Sequence, residues 1–348
     1  LQEGEVQGSD VVAHSAGILD IKTNILPNAD ALFLTAIDPY GHELWRWTFP
    51  VNKLNQQTEQ LSPLSSRPTY TETENDLTVK ANKRTFIFSK KDGQLKGVSV
   101  DNRKINFANG PRFIGARRAD RSLDQFYNHD DEKAKEKDRT YSEFPDAAVF
   151  TKLDVKEDGG NLVVTANYKL GNLDKSQWTI NPSGDLALDY TYNFSGVVDL
   201  MGIRFDYPED QVISKRWLGA GPYRVWQNRI HGTQYDVWEN DYNDPIPGET
   251  FTYPEFKGYF GDVSWMNIQT KEGTISLTNE TPDTYIGVYQ PRDGRDRLLY
   301  TLPESGISVL NVIPPVRNKV NSTDLCGPSS QPKWVNGPQT GRVIFRFM

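Results

Sequence analysis

The sequence predicts an all-β chain, most of it one large antiparallel sandwich. Apolar and polar residues alternate along Leu162, Val164, Ala166, Tyr168 and Leu170, and again along Leu186, Leu188, Tyr190, Tyr192 and Phe194. A period of two puts one strand face on a core and the other in water. No long stretch of the 348 residues carries a convincing 3.6-residue apolar period. Many such strands spread over residues 76–348 point to two packed layers of antiparallel sheet.

Residues 1–52 hold three strand patterns, at 18–23, 31–37 and 43–51. Asp38-Pro39-Tyr40-Gly41 puts proline second in a turn, so the last two patterns form a hairpin. Three strands are too few for a sandwich of their own. Leu1-Gln2-Glu3-Gly4 enters this region without a starting methionine, and the chain is expected to belong to a longer protein. Residues 53–75 are rich in Gln, Ser, Thr, Pro and Asn, lack an apolar period and read as a linker. Beyond them, 85–89 and 95–100 flank Asp92-Gly93, a favourable hairpin dipeptide. Val343, Phe345 and Phe347 alternate as a last strand that closes the fold. The mostly charged stretch 129–139 is the best helix candidate, and reads as a solvated loop or one helical turn.

Composition excludes several classes of function. A net charge of −7, with no large Lys/Arg cluster, argues against nucleic acid as a partner. Nothing approaches eighteen consecutive apolar residues, so no membrane span is expected. The single cysteine, Cys326, rules out an internal disulfide and a cysteine metal cluster. His14, His42, His129 and His231 lack zinc spacing. Asp236, Glu239, Asp241 and Asp244 lie close in sequence but match no calcium loop pattern. No metal or other cofactor is expected. No G-x-S-x-G, Cys/His pair or phosphate-binding loop is present.

Eight tryptophans and sixteen tyrosines stand out, and they cluster. The densest block is 216–260. It opens Arg216-Trp217-Leu218-Gly219-Ala220-Gly221-Pro222-Tyr223-Arg224 and continues through Trp226, Asn228, Arg229, His231, Tyr235, Trp238, Glu239, Asp241, Tyr242 and Asn243. The glycines and Pro222 punctuate a strand end, so the residues after Pro222 are expected to leave the sheet as a long loop. Aromatic rings stack on the C–H faces of sugars, and Arg, Asn, Asp and Glu offer paired hydrogen-bonding atoms to neighbouring hydroxyls. The expected carbohydrate-binding residues are Tyr223, Arg224, Trp226, Arg229, Trp238, Glu239, Asp241 and Asn243, with Arg118 and Asp120 facing them. The same residue types also suit a contact with a neighbouring domain.

Trp217-Leu218-Gly219-Ala220-Gly221-Pro222, followed by Asn228-Arg229 and Tyr253-Pro254, resembles the C-terminal domain of family 2 β-galactosidases. Asn82-Lys83-Arg84 and Gly110-Pro111-Arg112 through Asp120 fit the same template, although the family's Pro and Asn-Asp pair are missing after Arg118-Ala119. The resemblance implies a galactose-mutarotase-like β-supersandwich over 76–348, preceded at 1–52 by the end of an immunoglobulin-like domain. It implies a glycoside hydrolase whose catalytic carboxylates lie upstream in a barrel, with no catalytic residue in this chain. The expected partners are carbohydrate and that upstream domain. A periplasmic or extracellular setting follows from polymer-degrading relatives. The alternatives are a stand-alone carbohydrate-binding module, or a mutarotase-like epimerase or lyase.

Overall fold

The computed structural model describes residues 3–8, 10–22, 29–51, 66–118, 141–241, 258–288, 302–315 and 327–348. The chain divides into two units, Leu1–Asn52 and Lys53–Met348.

In the first unit, β1 (Ala31–Ile37) and β2 (Glu43–Pro50) form the expected antiparallel hairpin. The Asp38 carboxylate accepts hydrogen bonds from the backbone of Tyr40 and His42, both at 2.8 Å, which holds the turn closed. The pattern at 18–23 does not become a strand where it is described. Residues 18–22 pair in register with none of the described residues, and Ile18 is 90% exposed.

The second unit is β-structure throughout, with no α-helix among the described residues. It opens with β3 (Thr69–Glu72), β4 (Asp76–Ala81), β5 (Arg84–Ser89), β6 (Leu95–Val100), β7 (Arg103–Ile105), β8 (Ala108–Arg118) and β9 (Tyr141–Glu143). Next come β10 (Val149–Asp158), β11 (Asn161–Lys169), β12 (Leu173–Ile180), β13 (Leu186–Val198), β14 (Leu200–Asp206), β15 (Val212–Gly221) and β16 (Gln234–Asp241). The last are β17 (Phe260–Gly261), β18 (Trp265–Thr270), β19 (Gly273–Asn279), β20 (Tyr285–Gly287), β21 (Ile307–Val312) and β22 (Lys333–Phe347). β3 shortens the expected 53–75 linker, since Thr69–Glu72 pairs with β4. The helix candidate at 129–139 lies outside the described residues.

Two sheets form among these strands. One runs β10-β11-β12-β13-β22-β19-β18-β15-β16. The other runs β17-β20-β21-β14-β8-β6-β5-β4-β3, with β7 beside β6 and β9 beside β8. The alternating stretches read at 162–170 and 186–194 are β11 and β13, whose Leu162, Val164, Leu186, Leu188, Tyr190, Tyr192 and Phe194 point into the shared core; Leu170 falls past the end of β11 and is 74% exposed instead. An aromatic cluster joins the layers. Phe205 of β14 stacks on Phe107 at 4.7 Å and meets Trp178 of β12 and Phe345 of β22 across the gap at 6.0 and 5.3 Å. Each such ring pair adds about 0.5–1.5 kcal/mol beyond its buried area. β22 is central rather than terminal in its sheet: it pairs with β13 on one side and β19 on the other.

An ion pair ties the β12–β13 turn to β22. Arg346 Nε and Nη2 donate to the two Asp185 oxygens at 2.6 and 2.8 Å. Burial works to raise the Asp185 pKa, but Arg346, helped by the Asn181 amide and the Arg84 charge, outweighs it, and the carboxyl sits below its ordinary value. A carboxyl lowered from about 3.9 on folding contributes stability above roughly pH 4 and loses it as the pH falls through its folded value. Arg346→Ala is expected to cost about 1–3 kcal/mol at pH 7 and progressively less below about pH 4. Urea unfolding at both pH values checks this; a cost that ignores pH would assign the loss to packing of the arginine stem.

Candidate functional site

The aromatic block of 216–241 is a β-hairpin and the turn that joins its strands, not a long loop. β15 and β16 pair in register from Ser214↔Asp241 to Gly221↔Gln234. The turn between them is anchored. Val225 and Tyr259 exchange backbone hydrogen bonds at 2.7 and 2.8 Å, and Gln227 Nε2 donates to the Gln331 carbonyl at 2.9 Å. Tyr223 closes the turn by donating its hydroxyl to the Gly232 carbonyl at 2.9 Å.

This geometry separates the expected sugar-binding residues. Trp226 is 6% exposed and lies edge-on to Tyr259, within a cluster that includes Ile114, Leu200 and Leu310. Arg224 is 5% exposed beside it. Trp238 points inward against the main core, and its indole donates to the Gly219 and Gln234 carbonyls at 3.2 and 3.1 Å. Trp226 has no free face for stacking, and Trp238, half-buried, is turned toward the core rather than toward solvent. Arg229 is exposed near the tip of the turn, and Glu239 and Asp241 are exposed on β16. Arg118 enters as backbone only, paired with Tyr141 in β8–β9. Asp120 and Asn243 lie outside the described residues, so the expected facing wall does too.

Strand alternation sorts the carboxylates as well. Glu239 and Asp241 share the outward face of β16, whereas Asp236 and Asn240 point the other way and are buried. Among the described residues no trio of His, Cys, Asp or Glu is placed to hold a metal ion.

The outward face joins the expected Glu239 to Arg216, which had no assigned role, and to Asn267, which sequence reasoning passed over. Glu239, Arg216 and Asn267 stand side by side on β16, β15 and β18. The Arg216 guanidinium lies over the Trp265 ring, 5.1 Å from its centroid. That contact holds a long cationic side chain flat against the sheet. Arg216 stood in the block from the start; only the pairing with β18 gives it this neighbourhood. The result is a polar strip of carboxylate, guanidinium and amide, suited to hydrogen-bonding neutral hydroxyls. Trp217, Trp226 and Trp238 add no stacking face to it.

The fold and this strip define a class: a β-supersandwich of two large antiparallel sheets with a polar outer face. Residues 80–313, well over half of the chain, match the family model described as beta galactosidase small chain, and the protein belongs to that family. The resemblance carried by Trp217 through Pro222 is thus shown for the family. No curated protein sequence matches the chain. Among solved structures it is similar to galactose 1-epimerase from Lactobacillus acidophilus NCFM, at 10% identity and a TM-score of 0.44 over 81% of this chain and 99% of that one. It is also similar to an aldose epimerase homologue from C. elegans, at 8% identity and a TM-score of 0.35 over 81% and 99%.

Proposed function

We propose that this chain is a non-catalytic, carbohydrate-facing module of a β-galactosidase, serving a catalytic domain elsewhere in the enzyme. The observation that carries the reading is the family match over 80–313. Glycoside hydrolysis needs two carboxylates held about 5–10 Å apart across a sugar cleft. In this reading the partner domain supplies them. The strip of Glu239, Arg216 and Asn267 then serves to hold sugar hydroxyls, which its mixture of donors and acceptors supports.

The test is an assay of the chain by itself. Nitrophenyl galactoside, glucoside and glucuronide are expected to stay intact, and the rotation of freshly dissolved α-galactose to decay at its uncatalysed rate. Glycoside turnover abolished by a single carboxylate substitution would overturn the reading. Accelerated mutarotation would replace it with an epimerase.

A further inference from the structure

β22 is longer than the neighbour that covers it. β19 pairs only with Val343–Phe347, through Ile275–Asn279, and then turns away at Glu280. β13 runs beside β22 from Lys333 to Phe345. A cavity of about 780 Å³ opens where β19 leaves, within the range of about 300–1,000 Å³ typical of ligand sites. The turn after β19 is pinned at its rim: Glu280 N donates to the Arg342 carbonyl at 3.1 Å, and Arg342 N donates to the Thr281 hydroxyl at 2.7 Å.

The lining has an uncommon balance. Arg342 is clamped between Asp189 and Glu280, the latter at 2.8 Å. Lys175 and Asp283 add one charge of each sign, so two cations face three carboxylates. Such a wall has no surplus positive charge to attract an anion. Between the charges lie the amides of Gln177 and Gln339. Beneath them the Tyr190 phenol is 2% exposed and lies against the Thr281 hydroxyl. The Thr281 hydroxyl donates to the Arg342 carbonyl at 3.1 Å.

We propose that this cavity binds a neutral polyhydroxylated ligand, a monosaccharide or the end of an oligosaccharide. Fixed carboxylates accept from vicinal hydroxyls, and Arg342 and the amides donate to them. The site stands on its own geometry; the hairpin strip could bind nothing and this cavity would be unaffected.

The test is amide-resolved NMR of the labelled chain, titrated with galactose, with lactose and with galactonate as the anionic counterpart. The expected result is saturable shifts at the amides of Gln177, Gln339 and Thr340 with a neutral sugar, at a Kd on the order of millimolar. Preference for lactose over galactose would identify an oligosaccharide end. Replacing both glutamines (Gln177→Ala, Gln339→Ala) is expected to weaken binding about tenfold with the thermal midpoint unchanged. Three results overturn the proposal: no saturable shift at these amides, shifts confined to 234–241, or tighter binding of galactonate than of galactose. The second of these would favour the hairpin strip instead.

Discussion

Phe205→Ala is expected to lower the unfolding free energy of the supersandwich by about 3–5 kcal/mol. Phe205 is fully buried on β14, and its ring meets Phe107 in stacked contact. Its other ring neighbours, Trp178 and Phe345, belong to the opposite sheet. Removing it therefore loosens the layers from each other, besides losing the transfer energy of one side chain. Trp178 and Phe345 are large and sit on strands paired on both sides, so they collapse poorly into the hole. In thermal unfolding the midpoint should fall by roughly 10 °C for a domain of this size. Phe205→Leu, which keeps most of the volume, should cost less than half as much. A loss under about 1 kcal/mol for the alanine variant would show that the neighbours do refill the space.

Gly202→Ala is expected to be at least as damaging, for the opposite reason. Gly202 lies on β14 between β21 and β8, opposite Leu310 and Ile114. A Cβ there would collide with the Val309 carbonyl oxygen and crowd the Leu310 backbone at 2.7 Å. Overpacking usually costs about 1–3 kcal/mol because side chains can give way. Here the obstacle is backbone within a paired strand, so the loss should exceed about 3 kcal/mol or abolish the soluble fold. Circular dichroism and urea unfolding decide it. A variant as stable as the parent would mean that β14 and β21 can part without breaking their ladder.

How much of the fold was legible depends on which residues face inward. β11 and β13 could be read directly, because Leu162, Val164, Leu186 and Leu188 put apolar groups on one face and polar groups on the other. β16 was missed because its inward positions are Asp236, Trp238 and Asn240, two of them polar, so its period of two is hidden. β3 was missed for a simpler reason: Thr69–Glu72 is an exposed edge strand with no apolar side to show. The pattern at 18–23 looked like a strand, but alternation describes a strand only when a partner exists to pair with it. Of the candidate site, Glu239 and Asp241 were legible as exposed polar residues. The roles of Trp226 and Trp238 were not, since residue type does not say which way an indole points. The cavity beside Arg342 could not be read at all. It exists because β19 stops pairing with β22 partway, a relation between segments more than fifty residues apart.

The central place of β22 has a consequence during protein synthesis. Residues 149–198 and 212–279 supply the two halves of one sheet, and β22 is the strand that joins them. Until the ribosome has released residues 333–347, β13 and β19 each present an open edge to their surroundings. Open edges recruit other strands, and pairing that waits for a distant segment is slow. While β22 is still being made, the nascent chain holds two half-sheets with open edges. A message truncated before the codons of β22 would encode a polypeptide that aggregates rather than one that is merely less stable.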